Sequence, residues 1–217
     1  MKSLRIDFVS DIACPWCAVG LASLEKAIEL VKDQVTVELH FQPFELNPHM
    51  GVDGEDIVEH LTQKYRISPE QVAVNQQRIA QRGAEVGFEF NQAGRKRIYN
   101  TFDAHRLLHW AEEECGSQAQ HTLKRSLLEA YFTLGENPSN HAVLLDVVER
   151  AGLDRTRASH VLCSDEFQND VRQSQQRYLS QGIQSVPAVI INQRYLVQGG
   201  QPVEIFEGAL RQAAAEV

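Results

Sequence analysis

No stretch of this chain is long and apolar enough to span a bilayer. Near the N-terminus, Asp7 and Asp11 interrupt the apolar run that a secretion signal would need. The expectation is therefore a cytoplasmic protein with neither a membrane span nor a signal peptide. Positive charge is also in short supply: 21 basic residues face 29 acidic ones, a net charge of −8. That balance argues against binding to nucleic acid or to an anionic membrane. The run Arg95-Lys96-Arg97 is a local exception and reads as a solvated loop. Internal repeats and low-complexity linkers are absent. So is a second Cys pair, or a Cys/His pair, at zinc-ligand spacing.

Four cysteines are present, and two of them stand three positions apart in Cys14-Pro15-Trp16-Cys17. Leu4, Ile6, Phe8 and Val9 precede the motif as a buried-strand pattern. Val19, Leu21, Leu24, Ala27, Ile28 and Val31 follow it at helical spacing. The motif thus falls at a strand-to-helix turn with Cys14 at the helix N-terminus. Free backbone N–H groups and the helix dipole there favour a thiolate, the form that attacks a disulfide. Cys17, one turn further on, is placed to close back on Cys14. A lone CxxC can also be half a zinc site or two inert cysteines. The strand before it and the helix after it favour thiol–disulfide exchange. Cys115 and Cys163 lie far from the motif and from each other, and read as buried or bystander thiols.

At 217 residues, 43% of them hydrophobic, the chain can build a full core without staples. After the first helix, residues 35–41 alternate apolar and polar as a second strand, parallel to the first across a βαβ unit. From 53 to 182 helical signals succeed one another, and no strand is expected. Ser68-Pro69 is a helix start, with serine as cap and proline at the first position. Residues 88–90 form a short extended piece. Helices are expected from 100 to 115, 117 to 134, 140 to 151, 154 to 163 and 164 to 181. Residues 186–192 then form an apolar strand, 195–197 a short partner, and 202–215 a closing helix. The order is βαβ, a helical block, then ββα. It reads as one discontinuous α/β domain, residues 1–52 and 183–217, with an inserted helical domain at 53–182.

Three segments then carry a resemblance. Asp11-Ile12-Ala13-Cys14-Pro15-Trp16-Cys17-Ala18-Val19-Gly20, Asn100-Thr101-Phe102-Asp103-Ala104-His105-Arg106-Leu107 and Gly182-Ile183-Gln184-Ser185-Val186-Pro187 together resemble the FrnE-like branch of the DsbA family. The resemblance covers essentially the whole chain. It implies a thioredoxin-like fold with a large all-helical insertion between the βαβ and ββα halves, and dithiol–disulfide oxidoreductase activity. It puts the nucleophile at Cys14, the resolving thiol at Cys17 and a cis-proline at Pro187. Such a proline loop lies beside the first cysteine and leaves the backbone of Val186 for an extended substrate. The segment from Asn100 to Leu107 is implied to lie over the cysteines, which makes Asn100 and His105 pocket-lining candidates. Trp16 is an exposed apolar contact candidate.

Where better-studied relatives carry a buried carboxylate, six residues before the first cysteine, this chain has Phe8. Asp7 and Asp11 fall on the other strand face, and Asp11 also reads as a turn or capping residue. His105 and His109 are a helical turn apart but lack further metal ligands. No metal and no organic cofactor are implied. The partner is a disulfide- or dithiol-containing protein or a small thiol, with glutathione eligible as co-substrate. The alternative on the same scaffold is a glutathione-dependent isomerase or transferase of the 2-hydroxychromene-2-carboxylate isomerase or kappa-class type. Those enzymes typically have serine in place of Cys14. A third reading is a non-enzymatic thiol-dependent binding protein.

Overall fold

The computed structural model describes residues 2–91 and 93–216. Strand β1 (Lys2–Ser10) runs into helix α1 (Pro15–Val31), which returns the chain to β2 (Val35–Pro43), parallel to β1. Then come β3 (Glu55–Asp56), α2 (Ile57–Tyr65), α3 (Pro69–Val86), β4 (Arg97–Ile98), α4 (Phe102–Cys115), α5 (Ser117–Phe132), α6 (His141–Arg150), α7 (Arg155–Leu162) and α8 (Gln168–Ser180). Strands β5 (Ala188–Ile191) and β6 (Tyr195–Gln198) and helix α9 (Val203–Ala215) complete the chain. The main sheet has the order β2-β1-β5-β6, with β5 antiparallel to both β1 and β6. Residues from the two ends of the sequence thus make one sheet, with β1 near its centre.

Alternation along β1 divides its side chains between two layers. Leu4, Ile6 and Phe8 join Leu21 and Leu24 of α1 and Phe206 and Leu210 of α9 in the main core. Val9, on the other face, packs with Tyr178 of α8 and with Ile183. Each of these large apolar side chains contributes roughly 1.5–3 kcal/mol on burial. The helical block has a core of its own, built from α4, α5, α6 and α7, into which Ile12 reaches from the turn after β1. Helix α5 serves both cores. Its Leu123 and Leu127 belong to the helical core, and its Leu128, Tyr131 and Phe132 to the sheet core.

Two expectations need correction. The stretch from 53 to 182 does contain strand, the ribbon of β3 and β4. Two residues per strand are too few to show alternation, and the ribbon is pinned by Arg97 donating to the carbonyls of Asp53 and Gly54. The short piece at 88–90 lies outside helix and strand, and its Phe88 and Phe90 pack against each other and against Phe132. Helix α8 starts at Gln168, not at 164. The residues before it form a turn, and Phe167 takes a left-handed conformation (φ 60°) at the cap.

That turn is held by Arg106 of α4, whose side chain is 2% exposed. Its guanidinium donates to the carbonyls of Glu166 (3.0 Å), Ser164 (2.5 Å) and Val161, and pairs with Asp103 at 2.8 Å. Arg106→Met keeps the aliphatic stem but leaves the Ser164 and Glu166 carbonyls without their donor. The expected loss is about 2–4 kcal/mol in urea denaturation. Removing the α6 cap with Asn140→Ala, which breaks bonds to Ala142 and Val143, should cost only about 1 kcal/mol.

Candidate active site

Cys14 is the N-cap of α1, with extended backbone (φ −91°, ψ 110°) and Pro15 at the first helical position. Its Sγ lies 3.6 Å from the carbonyl oxygen of Val186. The Val186–Pro187 peptide bond is cis. Glycine permits two close approaches to α1, one by this loop and one by the turn after β6. A Cβ on Gly20 would lie 3.0 Å from Pro187 Cγ, and one on Gly200 would lie 2.9 Å from the Trp16 carbonyl oxygen. Both cysteines are free thiols. Cys14 is 4% exposed and Cys17 fully buried. Cys14 is thus the more exposed of the two only by a small margin, because it lies at the wall of a cavity and not on the outer surface.

Burial pushes the Cys17 thiol well up, and the adjacent Cys14 thiol adds to the effect. One charge pulls the other way: Lys124 of α5. This lysine is fully buried, and its Nζ has no hydrogen-bond partner among the described residues. Helical spacing puts it on the stripe of Leu128 and Tyr131, which faces the core holding the two cysteines. Burial lowers its pKa from 10.5 to about 8, against the opposing pull of Cys17, Asp11 and Cys14. The sequence signal that could have found Lys124 is its place as one lysine on an otherwise apolar helical stripe.

Asp11, at the turn before the motif, is buried as well. Its Oδ1 accepts from Thr101 Oγ1 (2.7 Å) and the Ala13 N–H (3.2 Å), and its Oδ2 from the Leu46 N–H (2.7 Å). Burial alone would raise its pKa. His105 Nε2 at 3.5 Å, together with the Leu46 and Thr101 donors, more than offsets this and holds it below the ordinary value. Phe8 lies in the core against Phe41, with ring centroids 5.8 Å apart. The position six residues before Cys14 therefore offers no proton acceptor.

Beside Cys14 opens a cavity of about 750 Å³. Helices α2 and α3 form one side, through Leu61, Lys64, Tyr65, Val72, Arg78 and Ile79. Phe44, Leu46, Phe90 and Phe132 supply further apolar wall, and Trp16 and Val186 line it next to Cys14. Trp16 is half-buried, with Arg78 over its ring at 5.9 Å, so it is less open than expected. Pro187 packs behind the cavity, against Gly20. Asn100 and His105 do not line it. Asn100 donates to the Met50 carbonyl and accepts from the Phe102 N–H. His105 is buried against Asp11. His109 stacks on Phe167, so the two histidines face different partners.

Arg95 was read as part of a solvated loop and is not. It lines the cavity with its guanidinium over the rings of Tyr131 (5.1 Å) and Phe132 (4.8 Å). Cys115 and Cys163 are exposed, which removes the buried alternative and leaves that of bystander thiols. Among the described residues, no helix is long and apolar enough to cross a membrane.

A CxxC pair at the start of α1, facing a cis X–Pro bond across a β2-β1-β5-β6 sheet, defines a thioredoxin-like fold of the redox type. The chain belongs to the DSBA-like thioredoxin domain family, which matches residues 5–211. The probable DsbA oxidoreductase SCO1869 from Streptomyces coelicolor is 32% identical and superposes with a TM-score of 0.89, over 99% of this chain and 91% of that one. The uncharacterized protein YwbO of Bacillus subtilis (strain 168) is 26% identical over 209 residues, 96% of each chain. The cytosolic disulfide reductase DsbM from Pseudomonas aeruginosa, in its structure with GSH, shares the fold. Its TM-score is 0.63 at 15% identity, over 96% of this chain and 98% of that one.

Lys124 gives a signed prediction. The folded chain releases this proton at about 8, the unfolded chain near 10.5. Below that window the buried charge costs stability, and the cost fades as pH rises through it. Lys124→Met should be more stable than wild type by about 1–4 kcal/mol near pH 7. The gap should narrow toward about pH 10 in paired urea titrations.

Proposed function

We propose that the protein is a dithiol–disulfide oxidoreductase in which Cys14 attacks and Cys17 resolves. The observation that carries this reading is the asymmetry of the pair. Cys14 lines the cavity at a helix N-terminus, while Cys17 is sealed in the core with its thiol pushed up. The Cys14 thiolate displaces one sulfur of a substrate disulfide, giving a mixed disulfide. Cys17 then attacks Cys14 Sγ and expels the second thiolate, leaving the Cys14–Cys17 disulfide. The charge of Lys124 favours the Cys17 thiolate in that second step. The reverse sequence oxidises a dithiol. Direction follows from the partner's potential.

In this reading Trp16 and Val186 contact the substrate, and Pro187 shapes the loop that presents the Val186 backbone. The chemistry needs no organic cofactor and no metal, and glutathione is eligible as co-substrate. We place the cycle in the cytoplasm, because two exposed thiols, Cys115 and Cys163, suit a reducing compartment.

Cys14→Ser should abolish disulfide reduction. Cys17→Ser should accumulate a mixed disulfide on Cys14, visible by mass spectrometry. The double replacement of Cys115 and Cys163 should leave turnover within about twofold. The glutathione-dependent isomerase or transferase alternative predicts the opposite pattern: no exchange by wild type, and glutathione bound tightly whether or not Cys17 is present. The non-enzymatic binding-protein reading would be favoured by an activity that both motif variants leave unchanged.

A further inference from the structure

The cavity beside Cys14 is built for a particular kind of substrate. Its volume of about 750 Å³ suits one small organic molecule. The walls are rich in aromatic and branched apolar side chains. The charged groups set among them are unbalanced. Lys64, Arg78 and Arg95 all line the cavity, and among the described residues none of the three forms an ion pair with a carboxylate. Glu45, the carboxylate in the lining, pairs with Arg172 through Oε2, while its Oε1 is buried without a hydrogen-bond partner among the described residues. His60, also in the lining, lies against Glu55 at 2.6 Å.

The three cations differ in what already holds them. Lys64 donates to the Leu46 carbonyl (2.8 Å) and Asn47 Oδ1 (2.6 Å). Arg78 donates weakly to Asn75 Oδ1 at 3.4 Å. The Arg95 guanidinium has no side-chain hydrogen bond among the described residues, although it is stacked on two rings and partly buried. Its planar fork of donors is therefore free for a ligand. Burial lowers its pKa, against the opposing pull of Tyr131 and Cys14. A stacked, desolvated guanidinium without a counter-ion stabilises an oxyanion far better than a solvated one would.

Building on the oxidoreductase reading, we propose that the cavity selects a small organic disulfide with an apolar, aromatic-sized body and a carboxylate or comparable oxyanion, and that Arg95 binds the anion. The reaction balances without a further reactant. The Cys14 thiolate attacks RS–SR, forming Cys14–S–SR and releasing one RS⁻. Cys17 closes on Cys14 and releases the second. The two electrons come from the dithiol, and its two protons pass to solvent.

The test uses pre-reduced full-length protein and two aromatic disulfides of like size, dithiobis(nitrobenzoate), which is anionic, and dithiodipyridine, which is neutral. Both release thiols with strong absorbance, visible for the first and near-ultraviolet for the second, and the second-order rates are read by stopped flow. Arg95→Gln should slow the anionic reagent about tenfold or more and leave the neutral one within about twofold. Arg95→Lys should recover part of the loss. Equal losses with both reagents would make Arg95 structural and overturn the proposal; no loss with either would do the same. Glutathione disulfide and an oxidised protein such as insulin are run alongside. If either reacts faster than the anionic aromatic reagent, and does so dependent on Arg95, the substrate class is wrong. Failure of wild type to react with any of these disulfides, while Cys14 is alkylated normally, would instead overturn the oxidoreductase reading on which the proposal rests.

Discussion

One buried carboxylate fixes the geometry around the motif. Asp11 accepts hydrogen bonds from the turn that leads to Cys14, from the loop after β2 and from Thr101 at the head of α4. These three segments are far apart in sequence and meet at a single side chain. An isolated carboxylate at this depth would be heavily penalised. Here three donors and the nearby His105 outweigh the penalty, and the ionised form is the stable one. The consequence is positional. The helical block is registered against the sheet at the point where the reactive thiol projects.

What the sequence made legible were features carried by local pattern. Alternation along β1, helical spacing after Cys17 and the apolar strand after Pro187 are properties of short windows. They led to the correct order of sheet elements. The CxxC motif marked its place because the strand before it and the helix after it are equally local signals. The side chains missed are those whose role depends on meeting something distant. Arg95 sits in a basic run that reads as solvated, yet rings contributed by α5 draw it into the cavity wall. Lys124 reads as one polar residue in an amphipathic helix and is instead buried. The ribbon of β3 and β4 is shorter than any period that could reveal it.

His105 and Asn100 show the same limit from the other side. The segment holding them meets the turn before the cysteines, through Thr101 and His105 at Asp11. Burial turns His105 to the Asp11 carboxylate and Asn100 to the Met50 carbonyl, and both are spent on holding the scaffold. Resemblance of a segment locates its backbone and does not say which way each side chain turns. The cavity is instead walled by α2, α3 and the loop around Arg95. Their sequences carry ordinary amphipathic patterns with nothing that announces a binding surface.

Helix α5 has a consequence of another kind. One of its stripes lies in the core of the helical block and another in the core beneath the sheet. A helix shared in this way cannot leave one core without opening the other. The block between the two halves of the sheet is therefore not a detachable module, and exchanging it for a relative's block would also replace Leu128, Tyr131 and Phe132 of the sheet's own core. Substrate range in such a scaffold can drift through α2 and α3, which wall the cavity without joining the two cores. The residues along α5 are constrained twice over.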